Sequence, residues 1–249
     1  MISIFKNYSN YYDIIYKNKN YEKETKYILS ILKKHNILNG SLLEFGSGTG
    51  KHGCLLASNG YSVHGIEKSA EMVAKAQKSE GFTCQEADIS TVKMNRSYDA
   101  ILALFHVISY QTTNNKLNSV FANASRHLNK DGLFVFDFWY SPAVLSQRPS
   151  VRIKKIVDNQ IEITRLAEPI NYPNENRVNV NYTIFVKDLK TDQIQTFNEV
   201  HPMRHLSLPE IDILADFHGF ERIKAEEFLT ENLPSQNTWG VCVILRKAR

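Results

Sequence analysis

Residues 41–54, Ser-Leu-Leu-Glu-Phe-Gly-Ser-Gly-Thr-Gly-Lys-His-Gly-Cys, constrain this chain more than any other stretch. An apolar run (Leu42, Leu43, Phe45) breaks into glycines and then turns helix-compatible at Cys54, Leu55, Leu56 and Ala57. The pattern is a strand, a tight turn and a helix start. Glycines belong where the backbone needs φ > 0, or where a ligand comes too close for a Cβ. A helix opening there aims its unpaired N–H groups at whatever lies on the turn. The stretch therefore reads as a nucleotide-type site at the carboxyl end of a strand.

Spacing decides which glycine loop this is. A phosphate loop of the G-x-x-x-x-G-K-[ST] kind needs Gly at 45 and Ser or Thr at 52, where the chain has Phe45 and His52. A dinucleotide fingerprint, G-x-G-x-x-G, is present as Gly48, Gly50 and Gly53, but leaves Gly46 and Ser47 unused. The form acidic-x-G-x-G-x-G uses Glu44, Gly46, Gly48 and Gly50 and leaves nothing over. It resembles the first motif of class I S-adenosylmethionine-dependent methyltransferases. The next segments discriminate. Tyr61–Ile66 reads as a second strand with Glu67 at its end, 23 residues after Glu44, where an acid accepts both ribose hydroxyls. Ser69 then caps a helix bearing Met72, Val73 and Ala76 on one face. Phe82–Ala87 is a third strand ending in Asp88-Ile89, the acidic–apolar pair that in the methyltransferase family meets adenine. Tyr98–Leu104 is a fourth, running into Phe105-His106. Any one acid alone reads as a solvated loop residue. Three at successive strand ends behind a glycine loop favour the methyltransferase over the dinucleotide reading.

At 249 residues the chain is most simply one α/β domain, 1–249, with a sizeable core. The net charge of +4 suits an anionic substrate, but Lys and Arg are scattered, which speaks against nucleic acid. Three cysteines without a C-x-x-C pair imply no disulfide framework and a reducing compartment. The amino terminus lacks the apolar stretch of a signal peptide, and no segment reaches membrane-spanning length. The expectation is a cytoplasmic protein acting on a small molecule, with no membrane and no nucleic-acid partner. A homodimer is compatible with all of this.

Residues 1–20 are aromatic and polar, and Tyr12-Asp-Ile-Ile-Tyr16 places two phenols on one face of a helix. Many small-molecule methyltransferases carry a similar Tyr-Asp-x-x-Tyr that folds over the cofactor, so 1–20 is expected to be a lid, with plain packing as the alternative. Tyr21–Leu38 reads as an amphipathic helix stopped by Gly40, and Thr112–Leu128 as a further helix before a fifth strand, Leu133–Phe138. This alternation means a parallel sheet covered on both faces. Residues 150–206 break the rhythm with four short strands, 151–157, 160–167, 178–187 and 193–201, an antiparallel insertion. A capping box at Ser207–Glu210, a helix and two closing strands follow. The fold class is thus α/β: a Rossmann-like seven-stranded sheet with helices on both faces, its last strand reversed, plus the insertion.

Methyl transfer needs an acceptor atom held in line with the methyl carbon, and an amine must lose its proton to present a lone pair. A histidine base adds roughly 10²–10⁴-fold. At the carboxyl edge of the sheet, His106 and Tyr110 are the first choices for base or acceptor contact, with Tyr12 from the lid; a hydrogen-bonded structural histidine is the alternative for His106. Trp139, Tyr140, Arg204 and His205 are candidate walls of the acceptor pocket; plain core packing is the alternative for Trp139 and Tyr140, and for Arg204 and His205, as for His201, a solvated strand edge is the plainer reading. His, Cys and acids show no metal-ligand spacing, so no metal is expected.

The likeness extends along nearly the whole chain. Tyr12-Asp-x-x-Tyr16, Leu-Glu-Phe-Gly-Ser-Gly-Thr-Gly-Lys-His, His-Gly-Ile-Glu-Lys-Ser-Ala-Glu-Met, Ala-Asp88-Ile, Phe138-Trp-Tyr, the insertion and His205-Leu-Ser-Leu are together similar to nucleotide-linked amino-sugar N-methyltransferases. The resemblance implies that Glu44, Gly46 and Gly48 frame the methionine moiety, Glu67 the ribose, and Asp88 with Ile89 the adenine, with Tyr16, Ser47, Lys68, Met72 and Leu104 as further cofactor contacts. In those enzymes the loop after strand four presents a histidine to the sugar amine; here Tyr110 takes that place and His106 lies one turn earlier. Basic residues of the insertion, Arg148, Arg152, Lys154, Lys155 and Arg165, suit a diphosphate, with solvated surface as the plainer reading of each. The implied activity is S-adenosylmethionine-dependent methylation (EC 2.1.1), giving S-adenosylhomocysteine, with a nucleotide-linked deoxyamino sugar as acceptor. Alternatives are O- or N-methylation of another metabolite, or a non-catalytic cofactor-binding protein.

Overall fold

The computed structural model describes residues 8–248, so the first seven residues of the expected lid lie outside the described residues. A short 3₁₀ turn (Tyr8–Asn10) and α1 (Tyr12–Ile15) precede α2 (Tyr21–Lys34), whose Asn20 cap accepts from Lys23 N. Helix α2 ends four residues short of the expected Leu38, because Asn36 takes the left-handed conformation at φ 62° well ahead of Gly40. Parallel strands β1 (Gly40–Phe45), β2 (Tyr61–Glu67), β3 (Phe82–Glu86), β4 (Tyr98–Ala103) and β5 (Leu128–Tyr140) then alternate with α3 (Lys51–Ala57), α4 (Ala70–Lys75) and α5 (Asn114–His127). After α6 (Ser141–Ser146) come β6 (Arg152–Val157), β7 (Ile161–Tyr172), β8 (Arg177–Asp188) and β9 (Ile194–Leu206), an antiparallel meander. Helix α7 (Leu208–Phe217), with its capping box at Ser207 and Glu210, leads to β10 (Phe220–Glu227) and β11 (Gly240–Lys247).

The sheet order around the core is β3-β2-β1-β4-β5-β11-β10, with β11 antiparallel to β5. That is the expected seven-stranded sheet with its reversed last strand. Period-two burial divides it cleanly. Leu43, Phe45, Phe134, Phe136 and Phe138 face α5 and α7, while Leu42, Leu133 and Val135 face α2 and α3. No helix among the described residues is long and apolar enough to cross a membrane.

The four remaining strands lengthen this sheet rather than standing apart from it. Residues Trp139 and Tyr140 pair in parallel with His205 and Leu206 of β9. Trp139 already has Gly240 of β11 on one edge, so β9 takes the other edge, just beyond the point where β4 stops at Ala103. The insertion therefore hangs over the exit loop of β4. A face of β7, β8 and β9 built from Ile163, Ala167, Val178, Val180, Ile184 and Met203 turns inward, against Tyr8 and Ile15 at one end and Tyr110, Trp139 and Val144 at the other.

Candidate active site

The glycine turn does what its spacing requires. Gly46 sits at φ 68°, and a Cβ there would stand 2.5 Å from Val107 Cγ2, so only glycine lets the loop after β4 pack so near. At Gly48, φ 56°, a Cβ would meet nothing within 4 Å, which leaves an open cradle above the loop. Glu67, at the end of β2 and only 9% exposed, accepts from Gly48 N at 3.0 Å through Oε2 and from Ser69 N at 2.8 Å through Oε1. Its burial raises its pKa, the backbone donors pulling the other way. Each oxygen keeps a lone pair for a further donor, such as a ribose hydroxyl. Met72 is buried on the first turn of α4, whose Ser69 caps Met72 N.

Asp88 follows β3. Its Oδ1 accepts from Ser90 N at 2.9 Å and Ser90 Oγ at 2.6 Å, and its Oδ2 lies 2.6 Å from Lys68 Nζ. Partial burial raises the carboxyl's pKa, but Lys68 and Ser90 outweigh it and bring it to about 2. Asp88 is thus a fixed anion with a displaceable lysine on one oxygen. Ile89, next to it in the chain, is buried in the α5/α7 core, whereas Leu104, just past β4, is buried in the α2/α3 core.

Two of the expected cofactor contacts point elsewhere. Ser47 Oγ turns back towards Cys84 Sγ at 3.2 Å, so this residue presents only its backbone to the loop. Glu44, on the α2/α3 face of β1, is buried behind the turn, with Oε1 3.9 Å from His52 Nδ1 and Oε2 against Gly53 without an aligned hydrogen bond. Burial, reinforced by the charge of Glu67, pushes its carboxyl up to about 8. His52 in turn meets Glu24 at 2.8 Å, and Glu24 holds Lys19. Lys19 Nζ lies 4.4 Å from the ring centroids of both Tyr21 and Phe105, a cation held by aromatic faces.

The chain from Tyr8 to Asn20 lies across the glycine turn. Asp13 accepts from Thr49 Oγ1 at 3.1 Å and meets Lys51 Nζ at 2.9 Å. Tyr12 and Tyr16 are in ring contact at 4.8 Å, and Tyr16 sets its edge against Phe105 at 5.2 Å. Arg165 of β7 donates to Tyr8 Oη at 2.8 Å, and Lys154 of β6 to the carbonyl of Ile15 at 2.7 Å. These two basic residues of the insertion face the strap rather than open solvent. Burial drives the Tyr12 phenol far above its ordinary pKa, so it is a neutral hydroxyl.

Beyond β4 the backbone is strained: Phe105 and His106 stand at φ 65° and 64°, consecutive left-handed residues without glycine. His106 N donates to Asp137 Oδ2 at 3.1 Å, and its Nδ1 lies 2.6 Å from the same oxygen, close without the alignment of a hydrogen bond. Asp137, 1% exposed near the end of β5, is pushed up by burial and brought down further by His106, which leaves it ionised. A carboxylate at Nδ1 favours the proton there and leaves Nε2 as the basic nitrogen. Asp137 was not among the expected residues, although an acid inside Leu133-Phe-Val-Phe-Asp-Phe is a readable signal: a charge in a strand buried on both faces needs a partner.

One turn later, Tyr110 Oη lies 2.8 Å from His201 Nδ1, and His201 Nε2 lies 3.0 Å from Glu199 Oε1. His201 is 3% exposed, which corrects the solvated strand edge read from its sequence: β9 runs past it to Leu206, and Glu199, His201, Met203 and His205 share the inward face. His205 is likewise buried, on Ser141 Oγ at 2.8 Å. Of the expected pocket walls, Trp139 sets its ring edge towards His106, with centroids 6.4 Å apart. Tyr140, on the opposite face of β5, packs against the α5/α7 core, and Arg204 turns outward to Asn114 at 2.7 Å and Glu210 at 3.4 Å. Among the described residues no group of His, Cys and acids has metal-site geometry.

Comparison with known proteins places this geometry. Residues 42–132 match the family described as methyltransferase domain. A dTDP-3-amino-3,6-dideoxy-alpha-D-glucopyranose N,N-dimethyltransferase of Streptomyces fradiae is 27% identical over 134 residues, 53% of this chain and 52% of that protein. A dTDP-3-amino-3,4,6-trideoxy-alpha-D-glucopyranose N,N-dimethyltransferase of Streptomyces venezuelae is 23% identical, covering 71% of this chain and 76% of its own. Among solved structures, an S-adenosylmethionine-bound amino pentose methyltransferase of Micromonospora echinaspora shares the fold over 99% of both chains, with TM-score 0.78 and 20% identity.

Proposed function

We propose that this chain, which carries an S-adenosylmethionine-dependent methyltransferase domain at residues 42–132, methylates the amine of a nucleotide-linked deoxyamino sugar. The observation that carries the amine reading is the His106–Asp137 pair, a base at the mouth of the site backed by a buried carboxylate. Two N,N-dimethyltransferases of dTDP-amino sugars among the relatives support the acceptor class.

The residues fit the cofactor. The open cradle over Gly48 admits its backbone-side approach, Glu67 offers lone pairs to ribose hydroxyls, and Asp88 offers an anionic oxygen to the exocyclic amine of adenine. S-adenosylmethionine supplies an electrophilic methyl on a sulfonium. The chain's own work is to bring a neutral amine to that methyl, exclude water and take a proton. His106 Nε2 takes the proton from the amine, and Asp137 stabilises the imidazolium that results. Phe105, Tyr16 and Tyr12 wall the site with aromatic faces, which suit a cation. The strap closes over the glycine turn through Asp13, Thr49 and Lys51.

Calorimetric titration with S-adenosylhomocysteine, with NAD as control, tests the cofactor. Micromolar binding of the first and none of the second is expected; the reverse overturns the assignment in favour of a dinucleotide. Mass spectrometry of dTDP-3-amino-3,6-dideoxyglucose incubated with enzyme and S-adenosylmethionine tests the acceptor, and a methylated amine is the expected product.

A further inference from the structure

Helix α5 does more than cover one face of the sheet. We infer that its Asn123 and His127 are positioning residues that clamp the segment 88–94 after β3, and so fix the turn whose Asp88 recognises the exocyclic amine of adenine. The inference rests on the reading of adenine at Asp88 in the preceding subsection.

Residues 87–97 join β3 to β4 as turn and irregular chain, with no helix or strand to hold them. Many of the segment's bonds are internal. Ser90 N and Oγ donate to the Asp88 carboxylate, and Thr91 N and Val92 N return to the Asp88 carbonyl at 3.0 and 2.9 Å. These bonds shape the turn without tying it to its surroundings. Two others reach α5. Asn123 Nδ2 donates to the carbonyl of Ile89 at 2.9 Å, and Met94 N donates to His127 Nε2 at 2.8 Å. Asn123 and His127 are four apart on the helix and so share one face, and each is 1% exposed. One face of one helix thus pins both ends of the stretch.

Backbone groups set the direction of each bond. A carbonyl only accepts, so the Asn123 amide turns Nδ2 to Ile89 and Oδ1 away, where Arg126 Nη1 meets it at 3.4 Å. A backbone N–H only donates, so His127 Nε2 accepts from Met94. Its ring hydrogen then sits on Nδ1, 2.8 Å from the carbonyl of Asn123. Around the pair α5 is apolar, with Val120, Phe121 and Ala124 in the core, and Ile89 and Val92 pack into that same core. Apolar contact has no direction, whereas a hydrogen bond does. The Asn123 bond therefore fixes the plane of the peptide that follows Ile89, one residue from the carboxylate that Ser90 aims.

Calorimetric titration with two ligands tests this without an acceptor: S-adenosylhomocysteine, and S-inosylhomocysteine, in which a carbonyl replaces the amine. A carbonyl facing the Asp88 carboxylate leaves both unpaired, so the wild type should bind the adenosyl form at least about tenfold more tightly. Asn123→Ala and His127→Leu each release one clamp and should shrink that preference by about threefold or more. His127→Gln keeps an oxygen within reach of Met94 N, and its preference should stay within about twofold of the wild type. A general loss of stability weakens both ligands alike and leaves their ratio in place. A preference undiminished in Asn123→Ala, or a Gln variant no better than Leu, overturns the proposal. A second measurement needs no variant: long-range ¹H–¹⁵N NMR of the ligand-free chain should show His127 as the Nδ1–H tautomer, and an Nε2–H tautomer overturns the clamp. A wild type that binds S-adenosylhomocysteine without preferring it refutes the reading of adenine at Asp88 and the proposal with it. A preference that survives Asn123→Ala refutes the proposal alone.

Discussion

The loops after β1, β2 and β3 and the region beneath the insertion are built by different means. In the first, contacts span at most 20 residues: Glu67 bonds Ser69 and Gly48, 2 and 19 residues away, and Asp88 bonds Ser90 and Lys68, 2 and 20 residues away. In the second they are long. His106 and Asp137 are 31 residues apart, Tyr110 and His201 are 91, Arg165 and Tyr8 are 157, and Tyr8 and Glu199 are 191. Strand-end turns and caps build the proposed cofactor half, and the register of distant strands builds the proposed acceptor half. The methyltransferase domain model matches residues 42–132, which include all of the former.

Variants break the comparison most sharply where the halves should respond independently. The largest expected effect is at the proposed base: His106→Gln or Asp137→Asn should lower kcat by roughly 10²–10⁴-fold and leave S-adenosylhomocysteine affinity unchanged. A matching loss of cofactor affinity would mean that the halves are one site. Next comes Glu67→Ala, with the opposite signature. Hydrogen bonds to a charged group contribute about 1.5–3 kcal/mol, so S-adenosylhomocysteine should bind about ten- to hundredfold more weakly. The kcat at saturating S-adenosylmethionine should stay unchanged.

The same contrast governs what the sequence reveals. The glycine turn, the acids that end β2 and follow β3, and the alternation of elements were legible, because each rests on local conformation or on period. What escaped depended on register. Trp139 and Tyr140 read alike, yet successive strand residues face opposite sides, and only Trp139 turns to His106 while Tyr140 enters the α5/α7 core. Arg204 and His205 divide the same way, one outward to Asn114 and Glu210, the other buried on Ser141. His201 read as a solvated edge because its strand seemed to end there; in the folded chain β9 continues to Leu206 and buries that face. Lys19 gave no signal at all, since its two aromatic partners and Glu24 meet it only through the fold of the strap.

Glu44 stands on the boundary, and the smallest expected effect concerns it. Its sequence position assigns it to the cofactor half, yet its carboxylate is buried behind the turn with His52 and Gly53. Burial raises its carboxyl to about 8, against an ordinary value of 4.5. Folding therefore binds a proton in the interval between those values. The stability so contributed is complete below about pH 4.5 and is lost as pH rises through about 8. Glu44→Gln keeps the shape and removes the titration. Its melting temperature should match the wild type near pH 5 and exceed it increasingly towards pH 8. The stability difference there should be on the order of 1–2 kcal/mol, a fraction of the limit of about 1.4 kcal/mol per pH unit. A pH-independent difference would mean that Glu44 is ionised in the ligand-free chain. It would then be available to the ammonium of the methionine moiety, as its place in the motif suggests, rather than held as a neutral acid behind the loop.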